Sequence, residues 1–175
     1  MWNRYSDLGY NLACILTFPC AQRKGYGRFL IAFSYELSKK EEKVGSPEKP
    51  LSDLGALSYK SYWASTLLVA LRSYGGPQLS IMDLTKMTSI LVEDVAATLH
   101  MLGLLQYVNG NYVIYAPPSL LVELMQKYPV DSGLQLDAEK LVWFPSYVQD
   151  PKKDKWAIRA KKDSNAGSSN DTLGF

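Results

Sequence analysis

The chain has 175 residues, 47% of them hydrophobic, with 19 basic against 17 acidic side chains and a net charge of +2. That length holds one ordinary domain or two very small ones, and that apolar share excludes a wholly disordered chain. The charge balance gives no overall field for nucleic acid, no apolar run reaches the roughly 18 residues of a membrane span, and two cysteines with one histidine cannot build a tetrahedral zinc site without recruiting carboxylates.

In chain order, the first seven residues lack the apolar stretch of a secretory signal, so a cytosolic or nuclear setting with reduced cysteines is expected. Residues 10–18 form a short apolar run closed by Pro19 and predict a buried strand. A glycine turn at 25–27 opens a helix over 26–40, with Tyr26, Leu30, Phe33 and Leu37 at helical spacing. Residues 41–51, carrying Gly45, Pro47 and Pro50, read as a loop. A second helix is expected over 57–73, with Trp63, Leu67, Ala70 and Leu71 on one face and Gly75-Gly76-Pro77 as its stop.

The next unit opens on Ser80-Ile81-Met82-Asp83, which has the capping-box form ahead of Leu84 and Met87. A turn at 87–89 leads to another helix, with Val92, Val95, Leu99 and Leu102 inward and Gly103 ending it. Residues 105–108 and 111–114 flank Asn109-Gly110, the strongest short hairpin signal. Helix, turn, helix and hairpin predict a winged-helix-like arrangement. A short helix over 119–127 and a last strand over 141–144 complete it. From about residue 148, Lys152, Lys153, Lys155, Arg159, Lys161 and Lys162 precede a Ser/Asn/Gly run that buries too little to offset ordering entropy, so a flexible basic tail is expected. The fold class is α/β in the α+β sense.

Arg23, Lys24, Gly25, Tyr26, Gly27 and Arg28 stand where a strand passes into a helix. Glycines there let a ligand approach the backbone, the first helical N–H groups and the helix dipole favour negative charge, and three cations flank them. A pyrophosphate suits this turn, and so does plain chain punctuation. The third glycine of a dinucleotide fingerprint and the Gly-Lys-Ser/Thr of a Walker loop are both absent.

Longer strings carry a resemblance. Asn-Leu-Ala-Cys-Ile-Leu-Thr at 11–17, the segment 22–39 from Gln-Arg-Lys-Gly-Tyr-Gly to Glu-Leu-Ser-Lys, and Val-Gly-Ser-Pro-Glu-Lys-Pro-Leu-Ser-Asp-Leu-Gly at 44–55 closely resemble the MYST-family lysine acetyltransferases. Leu-Ser-Tyr-Lys-Ser-Tyr-Trp at 57–63 continues the match, and 79–81 and 87–90 extend it more loosely. Over residues 10–145 the chain is similar to the carboxy-terminal part of that family's catalytic domain. The resemblance implies a partial GNAT-like acetyl-CoA-binding core over 1–75 and a winged-helix-like subdomain over 76–147.

It also implies roles. Glu48 matches the general base, needed because a lysine ammonium near pKa 10.4 must lose a proton before its nitrogen attacks a thioester. Seen bare, Glu48 is a solvated loop carboxylate between two prolines. Cys14 matches the active-site cysteine, and whether it carries an acetyl group or only lines the site stays open. The acetyl-CoA contacts carry over to Ile15, Leu16 and Thr17 beside the pantetheine arm, to Arg23 through Arg28 at the pyrophosphate, and to Ser52 and Ser61 further along. Their other readings are strand core, solvated turn and helix-start polar groups. No metal is implied in this chain. Phe18-Pro19-Cys20-Ala21 departs from the family's usual Leu-Pro-Pro and alters one wall near the acetyl site.

The implied partners are histone tails or other protein lysines and subunits of a chromatin-modifying complex, in the nucleus, with no membrane contact. The family's zinc finger and upstream strands do not occur in this sequence. The chain is therefore read as amino-terminally shortened, with transfer by it alone expected to be lost. Two other readings compete. A small-amine N-acetyltransferase would share the cofactor core but not the Glu48 setting. A winged-helix chromatin adaptor would need basic residues on the helix around 90–102, which instead carries Glu93, Asp94 and His100. Direct DNA binding is not expected.

Overall fold

The computed structural model describes residues 9–76, 78–130, 134 and 136–144. Strand β1 (Tyr10–Leu12) lies parallel to β2 (Ser46–Pro47). The Ser46 N–H donates to the Gly9 carbonyl at 3.3 Å and the Glu48 N–H to the Leu12 carbonyl at 3.0 Å. Alternate amides of a parallel strand face the same neighbour, so Pro47 falls between these two donors, where a missing N–H costs the pairing nothing.

The strand expected over 10–18 stops at Leu12. Beyond that point no ladder partner lies alongside among the described residues, and Leu16 and Phe18 are 80% and 71% exposed. Past Leu12, Ile15 is the residue of this run that packs on the core. An apolar run becomes a buried strand only where a neighbour takes up its backbone groups, and here β2 is two residues long.

A 3₁₀ turn at Pro19–Ala21 leads into helix α1 (Tyr26–Lys40), within the expected bounds. Its buried face differs from the expected one. Ile31, Ser34, Tyr35, Leu37 and Ser38 are buried, while Tyr26 and Leu30 are exposed. Two serines turn inward because β1 crosses this face closely: the Asn11 amide donates to Ser38 Oγ at 3.3 Å, and both serine hydroxyls bond back to carbonyls one turn earlier.

Helix α2 (Asp53–Ser73) begins before the expected residue 57, because Ser52 Oγ accepts the Gly55 N–H at 3.2 Å and Asp53 favours the positive end of the helix. Tyr59, Tyr62, Trp63, Ala64, Ser65, Leu67, Leu68 and Ala70 are all buried. A helix covered on most sides is a central one, and α2 packs on α1 and on three later helices.

Those are α3 (Ile81–Thr88), α4 (Val92–Met101) and α5 (Pro118–Lys127). The capping box forms as expected, with the Asp83 N–H donating to Ser80 Oγ and the Ser80 N–H to Asp83 Oδ2, both at 3.1 Å. Val95, Leu99 and Leu102 are buried as expected, and Gly103 ends the unit with φ of 70°. Strands β3 (Leu105–Val108) and β4 (Asn111–Ile114) form the expected antiparallel hairpin. Asn109 and Gly110 have φ of 50° and 84°, the left-handed values that a two-residue turn of this type requires.

No strand forms at 141–144. Val142 and Phe144 are exposed, and the Trp143 indole N–H donates to Glu41 at 3.1 Å instead. The expected basic tail at 148–175 lies outside the described residues. One buried cluster runs from Leu12 through α1 and α2 to Leu124. Helix and strand are thus mixed in the α+β manner. No described helix is long and apolar enough to cross a membrane.

Candidate active site

The parallel pairing of β1 with β2 brings two distant segments together. The Glu48 N–H bonds to the Leu12 carbonyl, and Cys14 follows two residues later, so Glu48 and Cys14 emerge at the same end of this ladder. Both side chains are exposed. Cys14 lies past the strand, not within it, and it is not disulfide-bonded. Leu16 projects into solvent beside it, while Ile15 and Thr17 are half-buried.

The glycine turn stands at the other end of this run. Gly25 caps α1 with φ of 84°, a left-handed conformation that disfavours a side chain. The amides of Tyr26, Gly27 and Arg28 precede the first intrahelical bond, from the Phe29 N–H to the Gly25 carbonyl at 2.9 Å. A Cβ built on Gly27 would meet nothing within 4 Å, so the turn faces open space. Arg23 and Lys24 are exposed beside it. Helix amides, an approachable backbone and flanking cations fit a diphosphate.

Arg28 is used differently from its neighbours. It reaches across to α2, where its guanidinium donates to Ser61 Oγ at 3.3 Å and to Ser65 Oγ, and lies 5.7 Å from the centre of the Tyr62 ring. Arg28 and Ser61 thus form one cluster. Ser52 sits apart, occupied as the N-cap of α2.

Tyr62 also stacks on Tyr35 at 5.3 Å, and the Trp63 indole donates to the Tyr35 hydroxyl at 2.8 Å. Burial pushes the Tyr62 phenol up to about 12, opposed by its hydrogen bond to Thr66 and by the nearby Arg28 charge. Burial also drives Tyr59 and Tyr35 well above the usual phenol range. These groups are neutral supports for the cluster.

Sequence reasoning missed the partners that hold the site. Ser65 follows Ser61 by one helical turn, and that i, i+4 pairing was the available signal. The loop bearing Glu48 is tied to α4: Ser46 Oγ donates to Asp94 Oδ2 at 2.7 Å and Lys49 Nζ to Asp94 Oδ1 at 3.1 Å. Asp94 is only 5% exposed, so it does not face solvent as the argument against DNA binding assumed. Glu93 is exposed and still opposes phosphate there. Among the described residues, no cluster of His, Cys, Asp and Glu could hold a metal ion.

The chain is 54% identical over 142 residues to histone acetyltransferase of the MYST family 2 of Arabidopsis thaliana, covering 81% of this chain and 32% of that protein. It is 53% identical over 142 residues to the putative MYST-like histone acetyltransferase 1 of Oryza sativa subsp. japonica, covering 81% of this chain and 31% of that protein. Histone acetyltransferase ESA1 of Saccharomyces cerevisiae is 45% identical over 137 residues, 78% of this chain and 30% of that protein. The chain thus spans about a third of the length of the curated relatives it matches. The profile of the MOZ/SAS family matches residues 2–141. With most of its length matched, from ahead of the Cys14 segment to beyond α5, the chain belongs to the MOZ/SAS (MYST) family.

Proposed function

We propose that this chain carries the acetyl-CoA cradle and the general base of a protein lysine N-acetyltransferase acting on histone tails. The observation that carries the reading is the Glu48 N–H bond to the Leu12 carbonyl, which joins an exposed carboxylate to the strand leading into Cys14. Residues 1–75 would be part of a GNAT-like core and residues 76–147 a winged-helix-like subdomain. The capping box, the α3–α4 pair and the β3–β4 hairpin support the second assignment.

Bound acetyl-CoA supplies an acyl thioester. Glu48 accepts the proton that the substrate ammonium must lose, and its exposure leaves room for a lysine to approach. Ile15, Leu16 and Thr17 give the pantetheine arm a backbone and an apolar side chain to lie against. The amides of Gly25, Tyr26, Gly27 and Arg28, with Arg23 and Lys24, receive the diphosphate. Arg28, Ser61 and Ser65 form the far wall, and Ser52 contributes a hydroxyl from the start of α2. Cys14 lines the acyl site. A nuclear setting fits relatives named as histone acetyltransferases, and subunits of a chromatin-modifying complex are proposed as partners.

Acetyl transfer to a histone tail peptide, measured beside a polyamine, tests this. Any transfer should favour the peptide, and Glu48→Gln should lower kcat by about 100-fold or more, the usual size for a positioned base; Glu48-dependent turnover by this chain alone would overturn the expectation that its transfer is lost. Turnover unchanged by Glu48→Gln would remove Glu48 from the mechanism, and a preference for polyamine would move the enzyme to small amines.

A further inference from the structure

Glu48 has no side-chain hydrogen bond or ion pair among the described residues, so its carboxylate stands wherever the loop backbone puts it. That loop is gripped on both sides of Glu48 by the α3–α4 region. Upstream, the Gly45 N–H donates to the Ser89 carbonyl at 2.8 Å and the Leu91 N–H donates to the Gly45 carbonyl at 3.2 Å. Ser46 then donates to one oxygen of Asp94, and Lys49, just past Glu48, donates to the other. Asp94 thus spans residues 46 to 49 with its two oxygens, from a helix more than 40 positions away in sequence.

We infer that Asp94 is a positioning residue for the reaction: through Ser46 and Lys49 it fixes the loop that presents Glu48. Burying a carboxylate is expensive and is offset only by well-made partners, so an apolar residue at this point of the α4 face would serve stability as well or better. What Asp94 adds is direction. It makes two bonds at defined places on one short loop, and both are lost if the loop shifts. The inference rests on Glu48 being the base.

The test uses the 175-residue chain with Asp94→Asn, Asp94→Glu, Ser46→Ala and Lys49→Met. Amide hydrogen exchange followed by NMR should show the Glu48 amide about 10-fold or more less protected in Asp94→Asn, with Leu67 and Leu68 unchanged, because a charge-assisted anchor is lost locally. Turnover on the histone peptide should fall about 10-fold in kcat with the KM for acetyl-CoA held within about 2-fold, since base placement and not cofactor binding is disturbed. Asp94→Glu should restore part of both losses.

Wild-type exchange at Glu48 in Asp94→Asn would overturn the inference, as would a loosened loop with unchanged kcat. If Asp94→Asn does not fold, Ser46→Ala and Lys49→Met, each removing one of the two bonds, carry the same readouts with smaller losses of about 3-fold. If this chain alone turns over no peptide, as expected of a shortened chain, exchange at Glu48 decides the inference: wild-type protection in Asp94→Asn overturns it, and loosening confined to the loop supports it.

Discussion

In α2, Tyr62, Trp63, Ala64, Leu67 and Leu68 are all buried, whereas between β1 and α1 Cys14, Leu16 and Phe18 stand in solvent. The two regions touch, since Ile15 packs on the same cluster that α2 centres. Yet one is held by apolar contact on most sides and the other by a two-residue strand pairing and a few polar bonds. Most groups proposed for chemistry lie on the second region or on the loop after β2 that pairs with it. A rigid helical core positions them without enclosing them, which leaves room for a long cofactor and a peptide to approach.

If the core carries the stability, the largest loss should come from α2. Leu67 is fully buried, and Leu67→Ala should cost about 2–5 kcal/mol in unfolding free energy, read by urea denaturation. A loss under about 1 kcal/mol would mean that α2 is not the centre of the fold.

Alkali should strike the same region. Tyr62 titrates near 12 in the fold against an unfolded phenol near 10, so the folded state favours the neutral form. The stability this provides is fully present below pH about 10 and is lost as pH rises toward 12, by about 2–3 kcal/mol from this group. Phenolate absorbance and circular dichroism recorded together should change in step above pH 10. Ionisation of the buried tyrosines without unfolding would count against their burial. Tyr35→Phe should cost less, about 1–3 kcal/mol, because it leaves the buried Trp63 N–H without its acceptor.

The same contrast explains what could be read from sequence. The capping box at Ser80 and Asp83, the Asn109-Gly110 turn and the Gly103 stop are decided by local chemistry, and each forms as expected. The end of β1 at Leu12, the inward serines of α1 and the burial of Asp94 depend on partners far along the chain. Ser38 meets Asn11 across 27 positions and Asp94 meets Ser46 across 48. No periodicity contains that information. The candidate site divides the same way: the Gly25 turn ahead of α1 is local and legible, while the β1–β2 pairing that brings the Glu48 loop beside the segment leading to Cys14 is not.

The smallest expected effect separates folding from function most sharply. Leu16 is 80% exposed, so Leu16→Ala removes almost no buried area and should change unfolding free energy by less than about 0.5 kcal/mol. If Leu16 lies along the pantetheine arm, the same substitution removes apolar surface that is covered only when acetyl-CoA is bound. Covering part of a leucine is worth about 1 kcal/mol, or roughly a 5-fold rise in dissociation constant, measurable by calorimetric titration with acetyl-CoA. A substitution neutral to the fold and costly to the ligand would mark this exposed run as binding surface. Loss of stability with unchanged affinity would instead make it part of the core after all.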